Sequence, residues 1–426
     1  MQLSLINSSV EAVLPVRGRK HKVAGLFAGI GGLERGLERA GHEPKLFCEN
    51  DPAAMAVLAN KYPEVKLHDD ICTLERVPRG TSLLTAGFPC QDLSQAGRTV
   101  GISGARSGLV GEVFRLLEQN RVPSVLLENV PFMLQLGRGS AMDLITTEFE
   151  RLGYAWAYRV VDARAFGLPQ RRRRVYFYAS LRDDPRAVLF ADDAEETNER
   201  ALNGCLRERR IDGEPVACGF YWTEGIRGLG WAPDALPTLK SGSAVGIPSP
   251  PAMLMPDGNI VTPDIRDAEK LQGFPQDWTK AAERVARRSA RWKLVGNAVS
   301  VPAAAWLGSR LRDPGKVLDF SLSALKGSPW PTAAWNVGYG RMRVEASEWP
   351  DKKPYKSVLK YLKRDPVPLS ERAARGFYER LERTNLNLPD GFKAAVKEYL
   401  DRITTKTTEH AVSNRRSGSD QQSAFL

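Results

Sequence analysis

From Lys22 onward, apolar and polar positions alternate in a way that predicts short strands followed by helices. KVAGLF (22–27) is a brief apolar run ending in glycines, and LERGLERAG (33–41) then reads as a helix. KLFCEN (45–50) repeats the strand-then-polar pattern. DPAAMAVLANKY (51–62) predicts a helix with Asp51 as N-cap and Pro52 at its first position. TSLLTAGFPC (81–90), SVLLENVPF (124–132) and RVYFYAS (174–180) are three further strands. Strands alternating with helices imply an α/β fold, with a mostly parallel sheet covered on both faces. Functional loops then belong at the carboxyl ends of the strands.

The alternation lapses after about residue 183. GFYWTEGIRGLGWAPDALPTLKSGSAVGIPSPP (219–251) is dense in Gly, Pro and aromatic residues and predicts an irregular second domain. LVGNAVSVPAAAWLG (294–308) returns to strand–loop–helix character. Past 313 a third part begins, with Ser370 as N-cap before ERAARGFYERLER (371–383) and a further amphipathic stretch, FKAAVKEYL (392–400). The expected division is 22–183 and 294–312 for one core, 184–293 for the irregular domain and its hinge, 313–408 for a mainly helical extension, and 409–426 for a disordered tail.

Composition adds bounds. The 426 residues are 42% hydrophobic and 26% charged, which excludes global disorder and a fibrous repeat. No run of about 18 apolar residues appears and no secretory leader is expected at the start. Five cysteines without a CxxC pair, and four histidines without ligand spacing, oppose a disulfide scaffold and a zinc site and suit a reducing cytoplasm. The net charge of +11 points to a polyanionic partner. More than half of it, 20 Lys and Arg against 14 Asp and Glu, lies in residues 313–426.

Several residues could carry chemistry. FAGIGG (27–32) stands where a strand gives way to a helix; its glycines would let a ligand approach the backbone, although a plain tight turn accounts for them equally well. Glu49 ends the next strand, where a carboxylate can bind two ribose hydroxyls. Asp70 could accept from an exocyclic amine, and either acid could be an ordinary loop residue. In GFPCQDLSQAGR (87–98), Cys90 follows Pro89 at a strand's carboxyl end, where loop N–H groups would favour the reactive thiolate. Cys48, Cys72, Cys205 and Cys218 read as structural. Glu128 in ENV closes a fully apolar strand, as a helix cap or as a group placed in a cleft. In QRRRR (170–174), alternation turns Arg172 and Arg174 to one side and Arg171 and Arg173 to the other.

The order FAGIGG, Glu49, DDI (69–71), GFPCQ, ENV, QRRRR, VTPDIRDAEKLQGFP (261–275) and GNAVSVP (296–302) resembles the motif series of the DNA (cytosine-5) methyltransferases over residues 22–312. Lys270 stands where that family commonly has arginine, and residues 313–426 lie outside the family core. The resemblance implies a Rossmann-like methyltransferase domain, a small target-recognition domain, S-adenosylmethionine as cofactor, and no metal. By similarity, Cys90 is the nucleophile toward C6 of cytosine, Glu128 holds N3 and the exocyclic amine, Arg172 contacts the base and Arg174 supports the pocket. Phe27, Gly29, Gly31 and Gly32 match the cofactor loop. Glu49 matches the ribose ligand, Asp70 and Ile71 the adenine contacts, and Pro89, Leu109 and Asn297 line the same pocket.

The implied substrate is a cytosine flipped out of a specific double-stranded DNA sequence. Gln91, Ser94 and the stretch to Arg106 resemble the loop that closes over DNA. Thr238 and Leu239 match a small signature of the recognition region. Arg227 and the neighbouring LKSGSAVG (239–246), with Lys240, are expected to read the DNA. The enzyme is expected in the cytoplasm, as a monomer, with no membrane partner; a companion restriction or defence protein is left open. An RNA cytosine-5 methyltransferase is the rival enzyme, opposed by Glu128 and by the lack of a CFT tripeptide. A catalytically silent DNA-binding regulator is opposed by the filled catalytic positions. KKPYKSVLKYLKR (352–364) would grip flanking DNA or a partner, or cap the fold with a solvated basic face.

Overall fold

A computed structural model describes residues 18–89, 108–195, 210–211, 213–242 and 250–405. The chain forms two compact units: one from residues up to 168 with 172–197 and 269–355, the other from 169–171, 198–268 and 356 onward.

The first unit is built on a ten-stranded mixed sheet with helices. Strands β1 (Lys22–Leu26), β2 (Glu43–Cys48), β3 (Lys66–His68), β4 (Leu83–Ala86) and β5 (Ser124–Asn129) are parallel, in the order β3–β2–β1–β4–β5. Every residue of β4 and β5 is buried, as strands covered on both faces must be. Helix α1 (Gly32–Arg39) links β1 to β2. Helix α2 (Pro52–Lys61) starts where expected, with Asp51 accepting the Ala53 N–H at 2.9 Å.

Beyond β5 the sheet reverses. Arg173–Ser180 lies between β5 and β6 (Ala155–Asp162), antiparallel to both. An apolar run buried on both faces has the same pattern in either direction, so the sequence could not announce this turn. Ala333–Asn336, Met342–Val344 and Leu322–Ala324 then extend the antiparallel edge from β6 outward. The C-terminal part therefore begins by widening the first unit's sheet. Arg159 of β6 fastens it: fully buried, it donates to the carbonyls of Ser347, Leu189 and Asp192 and pairs with Asp193.

Residues 294–297 are not a strand. They form the last turn of helix Ala290–Asn297, followed by helix Val301–Arg312. Leu294 is apolar because it packs into a cluster with Leu58, Tyr62, Phe274 and Trp278. The same cluster places residues 269–293 in the first unit, whereas composition had grouped them with the irregular domain. Gly32 has no room for a side chain, since a Cβ there would lie 2.6 Å from the Val299 carbonyl oxygen.

The second unit holds an antiparallel sheet of very short strands in the order Ala232–Pro233, Cys218–Phe220, Ala252–Leu254, Ile260–Thr262 and Val367–Pro368. Strands of two or three residues bury too little to stand alone. Helix Glu371–Glu382, capped by Ser370, and the helix over 392–405 close them. Phe377, Leu381, Phe392 and Val396 share one core with Phe220, Leu254 and Ile260. No helix among the described residues is long and apolar enough to cross a membrane.

Candidate active site

The carboxyl ends of the central strands carry the site. β1 ends at Leu26, and the chain then adopts left-handed conformations at Phe27 (φ 52°) and Gly29 (φ 56°). A bulky side chain at positive φ is strained. Glu49, just beyond β2, fixes the turn: its Oε2 accepts the Gly29 N–H at 2.7 Å and its Oε1 the Asp51 N–H at 2.8 Å. A carboxylate has about four acceptor positions, so capacity for ribose hydroxyls remains.

Glu128 lies near the end of β5 and is 7% exposed. Arg174 Nε sits 3.0 Å from Glu128 Oε1, an ion contact. It is out of line for a hydrogen bond, so Oε1 accepts none among the described residues. A Cβ on Gly87 would be 3.7 Å from Glu128 Oε2, so the loop after β4 runs beside this carboxyl. Asn129 Nδ2 donates to the Phe88 carbonyl at 3.1 Å and pins that loop.

Arg172 has another task. Buried at 1% exposure, its guanidinium donates to the carbonyls of Gly296 (3.3 Å) and Ala298 (2.5 Å), the two residues flanking Asn297. Asn297, at the end of its helix, is thereby brought to a cavity lined by Leu26, Phe27, Gly29, Glu34, Gly87, Glu128 and Asn297. The expected pairing of faces is present: Arg172 and Arg174 are buried, while Arg173 is exposed and paired with Glu348.

Other expected cofactor residues lie nearby in the chain but do not line this cavity. Asp70, after β3, accepts the Cys72 N–H at 2.9 Å. Ile71 is buried, and Arg115 holds its carbonyl at 3.0 Å and that of Leu74 at 2.9 Å. Leu109 begins helix Leu109–Asn120 against the core, and Pro89 is exposed. Gly31 has φ 79° and caps α1. Cys90, Gln91, Ser94, Arg106 and Cys205 lie outside the described residues. Cys48 and Cys218 are buried, with burial pushing the Cys48 thiol up to about 12, whereas Cys72 is exposed. Among the described residues no cluster of His, Cys, Asp and Glu is placed to hold a metal.

In the second unit, Leu236–Pro237 pairs in parallel with Gln170–Arg171. Thr238 Oγ1 donates to the Arg171 carbonyl at 2.5 Å, and the Leu239 N–H to Gln170 Oε1 at 3.1 Å. Thr238 and Leu239 thus hold their segment to Gln170 and Arg171. Lys240 Nζ pairs with Glu224 at 2.6 Å and lies 4.0 Å over the Tyr221 ring, while Arg227 is exposed.

Sequence reasoning missed Glu34. It stands in the first turn of α1 and would be counted on the polar face, yet it is 1% exposed. Its Oε1 accepts from Thr85 Oγ1 at 2.7 Å, Oε2 has no hydrogen bond among the described residues, and burial pushes the carboxyl up to about 7. Gly25, a glycine inside a buried strand, was the available signal: a Cβ there would come within 2.4 Å of Glu34 Oε1.

The family model for C-5 cytosine-specific DNA methylases matches residues 21–211. Type II methyltransferase M2.BsuMI of Bacillus subtilis (strain 168) is 47% identical over 401 residues, covering 90% of this chain and 100% of that protein. Type II methyltransferase M.BsuFI of Bacillus subtilis is 37% identical over 307 residues, covering 67% of this chain and 71% of that one. Type II methyltransferase M.BanI of Aneurinibacillus aneurinilyticus is 37% identical over 179 residues, 41% of each chain. The breadth of the M2.BsuMI match means that most of residues 313–426 are shared with that relative.

Proposed function

The chain belongs to the C-5 cytosine-specific DNA methylases and is a DNA cytosine-5 methyltransferase of the restriction–modification type; from that premise we propose that it acts on a flipped-out cytosine in one specific double-stranded sequence, through a covalent bond from Cys90 to C6 and with S-adenosylmethionine as donor. The observation that carries this reading is the cavity in which Glu128, in ion contact with Arg174, meets the Gly29 turn and Asn297. S-adenosylmethionine, when bound, supplies an electrophilic methyl group.

C5 of cytosine is a poor nucleophile, and the protein's task is to change that. The Cys90 thiolate adds to C6, a C–S bond forms, and ring electrons move toward N3. Glu128 hydrogen-bonds N3 and the exocyclic amine and favours a proton at N3. C5 is then enamine-like and can accept a methyl group. A base removes the C5 proton, the C–S bond breaks, and the thiolate leaves with its electron pair.

Relative to the expectation, the proposed roles of the two buried arginines are exchanged. Arg174, beside Glu128, is the one proposed to face the base, and Arg172 positions Asn297 through the neighbouring carbonyls. Glu49 offers its remaining lone pairs to ribose hydroxyls, and Asp70 and Ile71 remain the proposed adenine contacts. The exposed Arg227, with Lys240, is proposed to meet DNA.

The test is incubation with methyl-labelled S-adenosylmethionine and either duplex DNA or tRNA, followed by nucleoside mass spectrometry. The expected product is 5-methylcytosine in duplex DNA at one recurring sequence. Label in tRNA alone, or methylation of the exocyclic amine, contradicts the proposal.

A further inference from the structure

We propose that the buried carboxyl of Glu34 is the counter-charge for the methyl donor's sulfonium, binding S-adenosylmethionine in its ionised form and making no such demand for the uncharged thioether left after transfer. This rests on reading the cavity as the cofactor site.

A Glu in the first turn of a helix usually faces solvent and complements the helix dipole. Glu34 instead turns inward over the two central strands. Gly25 of β1 leaves the space, and Thr85 of β4, paired with Gly25 across the sheet, donates to Oε1. Oε2 is shielded from solvent and without a hydrogen bond among the described residues. An acid oxygen left so costs roughly 1–3 kcal/mol, and more when charged. A merely structural side chain at this position would do better as an apolar one.

The wall around it is acidic on balance: Glu34 and Glu128 line it, and Arg174 is paired with Glu128. Among the described residues no Lys, Arg or His lines the cavity itself. Glu49 from beyond β2 is a third acid whose charge acts on Glu34, and Tyr62 at the end of α2 is also coupled to it. Such a wall selects a cation. Burial, with Glu49 acting in the same direction, raises the Glu34 carboxyl to about 7, against the pull of the Thr85 hydrogen bond. Near neutrality the empty site is therefore part protonated, and a cation entering it expels the proton. Once the methyl group has gone, the sulfur is neutral and that requirement disappears.

The experiment is calorimetric titration of the full-length protein with S-adenosylmethionine and with S-adenosylhomocysteine, in two buffers of different ionisation enthalpy. At pH 7, binding of the methyl donor should release about half a proton and binding of the product almost none. Affinity for the donor should rise about tenfold from pH 6 to pH 8, and for the product by about twofold or less. E34Q should abolish the proton release and flatten the donor's pH dependence. Equal proton release with both ligands, or a slope that survives in E34Q, overturns the proposal. Binding of both ligands with a flat wild-type curve overturns it alone; binding of neither at any pH overturns the cofactor reading as well. The two-ligand comparison uses wild-type protein, so it decides the matter even if E34Q fails to fold.

Discussion

The cavity of the first unit and the segment around Thr238 in the second use polar side chains in opposite ways. In the cavity, buried Glu34 keeps an oxygen without a hydrogen bond among the described residues, while Glu128 meets Arg174 in an ion contact. In the second unit, Thr238 gives its hydroxyl hydrogen to the Arg171 carbonyl, and Lys240 is paired with Glu224. A buried acid oxygen left open destabilises the empty fold, so its presence marks a place completed by a ligand. A hydroxyl already bound to backbone marks a residue that holds the fold.

Four substitutions, one of them read against a fifth as its control, would break or sharpen this contrast. The largest effect is expected for Glu128→Gln, which keeps the shape and removes the charge: single-turnover methylation should slow by roughly 10²–10⁴-fold. A rate within twofold of wild type would remove Glu128 from the chemistry. Next, Arg172→Ala should cost roughly 3 kcal/mol in urea unfolding, because two buried carbonyls lose a charged donor. Arg173→Ala, an exposed pair with Glu348, should change stability by about 1 kcal/mol or less. Similar losses for the two would erase the distinction between the faces of the arginine run.

Glu34→Gln comes third and has a pH signature. The folded-state value of about 7 is above the ordinary carboxyl value, so the folded state binds the proton more tightly. The stability this contributes is complete below pH 4.5 and is lost as pH rises through 7. Ligand-free E34Q should therefore match the wild type near pH 5 and exceed it by roughly 2–3 kcal/mol at pH 8. A pH-independent difference in melting would contradict the burial argument. The smallest effect is expected for Thr238→Val, about 1 kcal/mol of stability from one lost hydrogen bond, with the methylated DNA sequence unchanged. A changed sequence would make Thr238 a reader after all.

The parallel half of the sheet was legible because each βα unit punctuates itself, as with Asp51 and Pro52 ahead of α2. The reversal at Arg173–Ser180 was not, since strand direction leaves no mark on a fully buried run. Leu294–Asn297 was misread as a strand because four residues carry no period. The extension past 312 looked like one piece by composition. It divides because Trp335 and its neighbours pair with β6, while Phe377 and Phe392 complete a core with Phe220. Glu128 and Asn297, which line the cavity, and Glu49, which holds the Gly29 turn, all stand in motifs that the sequence offered. Glu34 was hidden because a helix's polar face and a buried cavity wall look alike in one dimension; only the glycine opposite it, Gly25, betrays the difference.

The central claim is tested most directly by trapping. Duplex DNA carrying 5-fluorocytosine at the target position, incubated with S-adenosylmethionine, should form a stable adduct, because C6 is attacked and methylated at C5 but fluorine cannot leave as a proton does. Mass spectrometry of the digested complex should place the DNA on the peptide containing Cys90, and Cys90→Ser should give no adduct. An adduct of equal yield from Cys90→Ser, or methyl transfer to cytosine with no adduct from the wild type, would contradict the account.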